Sequence, residues 1–283
     1  MEIAKTRKFD VEVPDGRGGT CRVRVLDFIQ NFLYIRPKPQ SMFELEESAP
    51  LVLFKLNPQQ MELYLKIEDD WCHYRPIRYV ILKARQIGFS TLIAAIIFTL
   101  TIYDPYKESL VVADIDDHTS RIFQMYQRFY DKLPDSLKLP LVSNKRGSTL
   151  VTTIESTVSV ETVGEDLGAG STLKCVHASE FGLWRKQKEA LGKIIASVPL
   201  TPNTMVFIES TAKGMNYFRD LSISSLNGEN KMFKGHFACW YKNGGYRLPY
   251  TGEELGISDK LYEKDEIGYN NLINIMELLH EYI

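Results

Sequence analysis

The stretch RYVILKARQIGFSTLIAAIIFTL, residues 78–100, decides how this chain is read. A short apolar run at 79–84 enters a polar turn, and a segment of helical length, 90–103, leaves it. Strand, glycine turn and helix in that order are what a phosphate-binding loop needs, because N–H groups at a helix start curl round phosphate oxygens. The pattern G-x-x-x-x-G-K-[ST] adds a lysine for the β- and γ-phosphates and a hydroxyl for magnesium. Gly88 fits the second glycine and Ser90 the hydroxyl, with Thr91 beside it, but Phe89 holds the lysine's place. Lys83 stands where the first glycine would be and Arg85 lies inside the loop, so two cations flank it. An ordinary strand, turn and helix fits the same letters, and this stretch alone leaves both readings open.

Outward from the loop, strand-like and helix-like segments alternate. SLVVAD (109–114) reads as a strand, and 117–132 as a helix with Ile122, Met125, Tyr126 and Phe129 at helical spacing. STLVTTI and STVSVETV read as paired strands; LKCVHAS, a helix at 187–197, TMVFIES, a helix at 214–226 and the strand-like KMFKGHFACWY follow. Such alternation predicts an α/β fold with a mainly parallel sheet flanked by helices. Residues 1–50 form a lead segment of short strand-like pieces, such as TCRVRVLDFI, with an acidic turn, FELEESAP; 51–250 is the α/β domain; and 251–283 turns polar, with a last helical piece.

Composition narrows the classes. A chain of 283 residues, 44% hydrophobic, holds one large domain and a small appendage. A net charge of −2 means that any nucleic-acid contact comes from a local patch, with RPIRYVILKAR and WRKQK as the basic candidates. Cys21, Cys72, Cys175 and Cys239 lack CxxC spacing, which argues against a disulfide framework or a zinc site and for a reducing cytoplasm. His73, His118, His177, His236 and His280 share no short ligand spacing. TLIAAIIFTLTIY is too short to span a membrane and the N-terminus lacks a signal-peptide core, so no membrane role is expected. Phe123, Tyr126, Phe129 and Tyr130 at helical spacing read as core, although bases could stack on them.

In an α/β sheet the active groups gather at the carboxyl ends of strands. LKCVHASEFGLW ends its strand in Ser179 and Glu180. In P-loop ATPases the equivalent strand ends in a magnesium-side Asp, then a Glu that orients the attacking water. Ser179 could reach a magnesium shell only through its hydroxyl. In VFIESTAKGMNYF, Glu209, Ser210, Thr211 and Gly214 form a polar turn into a helix, for which a plain N-cap by Ser210 or Thr211 is enough.

Five pieces in order, LNPQQMELYL, KARQIGFST, VVADIDDHTSRIFQMYQRFYDKLP, SVETVGEDLGAGSTLKCVHASEFGLW and FIESTAKG, resemble the large terminase subunits of tailed bacteriophages, the ATP-driven motors that package DNA. The resemblance spans roughly residues 55–250 and implies a P-loop NTPase (RecA/ASCE-like) fold. It implies that Lys83, Ala84, Arg85, Gln86, Ile87, Gly88, Phe89, Ser90 and Thr91 bind ATP, and that Gln60 reads the adenine edge, with Gln59 as a lesser stand-in. Arg85 would sense the γ-phosphate and, helped by Lys83, carry the charge that Phe89 lacks. Glu180 would be the catalytic carboxylate, Ser90 and Ser179 the hydroxyls on Mg2+, and Ser210, Thr211 and Ala212 the motif coupling hydrolysis to DNA movement. Ala169, where an arginine is expected, and Ser179, in place of Asp, depart from the family pattern. The arginine that a neighbouring subunit supplies in such motors is Arg121 or Arg146. Implied partners are double-stranded DNA, a portal protein and a small terminase subunit, with the chain in a homo-oligomeric ring on the procapsid in the host cytoplasm. Family members continue into an RNase H-type nuclease, whose acidic metal site 251–283 does not supply; that segment reads as a polar linker or the start of a missing domain, and nuclease activity is not expected. The alternatives are a helicase-like nucleic-acid-dependent ATPase and an inactive assembly remnant.

Overall fold

The computed structural model describes residues 6–37, 50–143, 149–164, 167 and 172–242. They all fall in one compact unit, which ends at Lys242. The readings of residues 43–49, Ala169, Arg146, His280 and 251–283 lie outside the described residues.

The chain opens with an antiparallel hairpin, β1 (Asp10–Pro14) and β2 (Thr20–Arg24), followed by α1 (Val25–Phe32). The strand reading of TCRVRVLDFI is therefore corrected at its second half. Val25, Leu26, Phe28 and Ile29 recur at helical spacing, and a helix buries all four on one face. β3 (Tyr34–Ile35) pairs with β4 (Val52–Leu53), and α2 (Pro58–Cys72) leads to β5 (Ile77–Lys83), α3 (Phe89–Ile102), β6 (Glu108–Ala113) and α4 (Asp116–Asp131). Then come β7 (Leu141–Ser143), β8 (Thr149–Thr152), β9 (Thr157–Thr162), β10 (Cys175–Ser179), α5 (Gln187–Ser197), β11 (Met205–Ser210), α6 (Tyr217–Leu226) and β12 (Lys234–Ala238).

Among the described residues, eight strands form one sheet in the order β12-β5-β11-β10-β6-β9-β8-β7. The six from β12 to β9 are parallel; β8 and β7 add an antiparallel edge, so the two runs read as paired strands do pair. Successive residues of a strand face opposite sides. Ile77, Tyr79 and Ile81 of β5 join a core with α1 to α4, while Val80 joins one with α5 and α6. Both faces are covered, which is why the central strands read as unbroken apolar runs. The N-terminal residues belong to the first core through Phe9, Val11 and Phe28. α3 is buried almost all round, and no described helix is long and apolar enough to cross a membrane.

One feature of the strand order positions the site. β11 lies between β5, which feeds the loop, and β10, which ends at Ser179. In this register Glu209 of β11 pairs with Ser179 on one side and Ile81 on the other.

Candidate active site

The loop at 84–88 is held from outside by the start of α2. Asn57 and Gln60 form a capping box. Asn57 Nδ2 also donates to the Ile87 carbonyl (3.1 Å), and Gln60 Nε2 to the Gly88 carbonyl (2.7 Å). Two loop carbonyls are thereby tied to side chains at the start of α2. Gly88 has φ +77, and a Cβ there would fall 2.6 Å from Gln60 Nε2, so the position requires glycine on both counts. Gln60 spends both ends of its amide on this clamp, since Oε1 accepts from the Asn57 N–H at 2.9 Å. Gln59 Nε2 donates to the Cys239 carbonyl at 2.9 Å, and its buried Oε1 has no hydrogen-bond partner.

Phe89, in the lysine's place, is fully buried, with its ring centroid 5.5 Å from that of His236. Its side chain belongs to the core. A buried cation does lie behind the loop: Lys83, at the end of β5 and only 8% exposed. Its Nζ lies 2.6 Å from Glu209 Oε2, 3.1 Å from Glu180 Oε1 and 3.2 Å from Ser90 Oγ. Burial alone would lower the Lys83 pKa, but the two carboxylates outweigh it and raise it, so the ammonium stays charged. Arg85, given the larger share of the charge in the sequence reading, is exposed and lines the cavity beside this cluster.

Glu180 follows β10 in a left-handed conformation (φ 51°, ψ 40°), a costly backbone for a residue with a side chain. Its Oε1 meets Lys83, and its Oε2 accepts from Ser210 Oγ at 3.4 Å, a long contact. Gly182 allows that approach, because a Cβ there would sit 2.7 Å from Ser210 Oγ. Thr211 lines the cavity and Ala212 is exposed. Neither Ser210 nor Thr211 caps α6, contrary to the simple reading. Asn216 does so, accepting from the Arg219 N–H at 3.1 Å, and the helix starts at Tyr217 rather than 214.

Sequence reasoning left Glu209 among the turn residues. It is fully buried, and its Oε1 accepts from Ser90 Oγ (2.8 Å) and Ser179 Oγ (3.0 Å), with His177 Nε2 at 3.2 Å. Burial pushes its carboxyl up, but Lys83 and His177 outweigh that and hold it well below the usual carboxylate range. The signal was available: an acid ending the apolar run MVFI in a doubly covered strand must be paired to be tolerated.

Arg85, Ser90, Arg121, Ser179, Glu180 and Thr211 surround one open cavity of about 380 Å³. Arg121, considered for action on a neighbour, lines this chain's own cavity. Larger cavities, of about 890 and 880 Å³, lie near Arg7 and Lys186 and hold none of this cluster. Among the described residues no group of three or more His, Cys, Asp or Glu is placed to hold a metal by itself. The hard oxygens here, two serine hydroxyls backed by a carboxylate with Glu180 beside them, fit a magnesium ion that takes its remaining ligands from phosphate and water.

No protein-family model and no curated protein matches the sequence. Among solved structures, the HK97 bacteriophage large terminase superposes with a TM-score of 0.57 at 15% identity, over 79% of this chain and 44% of that one. A Thermus phage large terminase ATPase domain mutant superposes at 0.49 with 17% identity, covering 66% of this chain and 83% of that one. The large terminase of a thermophilic bacteriophage in complex with ADP gives 0.49 and 12%, covering 74% and 49%. The chain thus shares its α/β fold, a mainly parallel sheet flanked by helices, with a bacteriophage large terminase and spans less than half of that protein's length.

Proposed function

We propose that this chain is the ATPase part of a viral DNA-packaging motor, which hydrolyses ATP to move double-stranded DNA into a procapsid. The observation that carries the ATPase reading is Lys83: one buried cation touches Ser90, Glu180 and Glu209 directly behind a glycine loop. The fold likeness to a large terminase and the order of the five sequence motifs support the packaging role.

In this reading Lys83 faces the β- and γ-phosphates, where its charge offsets theirs. Arg85, at the cavity rim, meets the γ-phosphate. Gln60 fixes the loop while the adenine edge lies against the Gln59 and Gln60 segment. Bound magnesium would neutralise phosphate charge, held by Ser90 and Ser179. Glu180 orients a water in line with the γ-phosphate and accepts its proton. Ser210 Oγ, on Glu180 Oε2, links that carboxylate to Thr211 and Ala212, the segment that transmits the step to DNA. The working form is a ring on a portal protein with a small terminase subunit, in the host cytoplasm, and a neighbour's arginine completes the site. Phosphate release from ATP, measured with and without double-stranded DNA, tests this. Magnesium-dependent turnover stimulated by DNA is expected; a chain that binds no adenine nucleotide overturns it.

A further inference from the structure

The inference rests on the nucleotide-site reading above and concerns the charge missing from its magnesium side. β10 ends in Ser179, where P-loop ATPases place an aspartate. Directly across the ladder, on β11, is Glu209. The carboxylate is absent from one strand and present at the same level on the next.

Its contacts are those the absent aspartate would need. Ser90 Oγ and Ser179 Oγ both donate to Glu209 Oε1, at 2.8 and 3.0 Å, and both serines line the cavity while Glu209 lies fully buried behind them. Each hydroxyl has one proton. With both protons directed inward, the hydroxyls can offer only lone pairs to the cavity, the polarity a hard cation requires. Lys83 sits on Oε2 at 2.6 Å, and Oε1 collects His177 Nε2 at 3.2 Å together with the two hydroxyls, the donors that a buried carboxylate needs. What points to the cavity is that two of those three donors line it. Where the usual loop holds its lysine this chain has Phe89, and the buried lysine at the end of β5 contacts the buried glutamate of β11.

We propose that Glu209 is a positioning residue that replaces the strand-end aspartate. It orients the Ser90 and Ser179 hydroxyls toward magnesium and supplies negative charge from one layer behind them.

The test is a magnesium titration of the protein bound to a fluorescent ADP, with thermal melting alongside. The variants are Glu209→Gln, Ser179→Asp and the double change. Glu209→Gln should still bind ADP without magnesium but require about 10–100-fold more magnesium for the enhanced complex, the usual cost of removing an outer-shell partner. Ser179→Asp combined with Glu209→Gln should restore the parent titration, because the charge returns at the same sheet level. A parent-like magnesium requirement in Glu209→Gln overturns the inference. So does loss of ADP binding and folding that the double variant fails to restore, which marks a purely structural pair. A parent chain that binds no ADP at all overturns the nucleotide-site reading itself.

Discussion

Restoring the lysine of the usual loop pattern should damage this protein. Phe89 is fully buried in the first turn of α3, its ring against His236 and its neighbours part of the larger core. Removing a buried phenylalanine ring costs about 3–5 kcal/mol, and an ammonium at a site with no exposure adds desolvation to that. For a domain of this size each kcal/mol moves Tm by about 2–4 °C, so Phe89→Lys should melt about 6–20 °C below the parent. Phe89→Leu, which keeps an apolar side chain there, separates loss of the ring from burial of a charge and should fall much less. Nucleotide binding should not improve if, as proposed, Lys83 supplies the charge that faces the phosphates. Calorimetry and ADP titration of both variants provide the check. A Phe89→Lys protein that melts with the parent and binds nucleotide more tightly would show that the loop has lost its cation rather than relocated it.

Lys83→Ala leaves Glu209 buried without its counter-charge, which should cost about 3–5 kcal/mol in urea unfolding and abolish ATP binding. Arg85→Ala, at an exposed position, should leave the unfolding midpoint unchanged and lower turnover; parent stability in Lys83→Ala, or parent turnover in Arg85→Ala, contradicts the assignment of charges. His236 is pushed to about 4 by burial, from an ordinary value of 6.5. Between those values the unfolded chain takes up a proton that the folded chain refuses, so His236 makes stability fall as pH drops through that window, by up to about 1.4 kcal/mol per pH unit. His236→Gln should flatten that limb of the urea-midpoint profile, and equal slopes in both proteins would refute it.

Much of this could be read from single letters and spacing. The helix at 187–197 lies where it was expected, and β5, β6, β8, β9, β10 and β11 fall within about two residues of their apolar runs, whereas β12 takes only the middle of KMFKGHFACWY and β7 was not foreseen. Lys83, Glu180 and Ser90 converge because each ends or follows an element of the same parallel sheet. Strand order was not legible, since it depends on which faces the crossover helices bury rather than on any local pattern. With β11 between β5 and β10, Glu209 comes to lie among Lys83, Ser90 and Ser179. Local chemistry misled in two places. VLDFI, rich in strand formers, became helix because four of its residues bury on one face. The cap of α6 went to Asn216 because Ser210 is still within β11 and turned to Glu180.

The central claim is that this cluster cleaves ATP with Glu180 as the base, and Glu180→Gln tests it most directly. The substitution keeps size and hydrogen bonding and removes the charge that accepts a proton. Single-turnover hydrolysis of labelled ATP, with double-stranded DNA present and ATP binding measured on the same samples, separates chemistry from affinity. ATP binding that persists, with cleavage slowed by about two to four decades as loss of a general base implies, is the result predicted. Cleavage at the parent rate in Glu180→Gln contradicts the account.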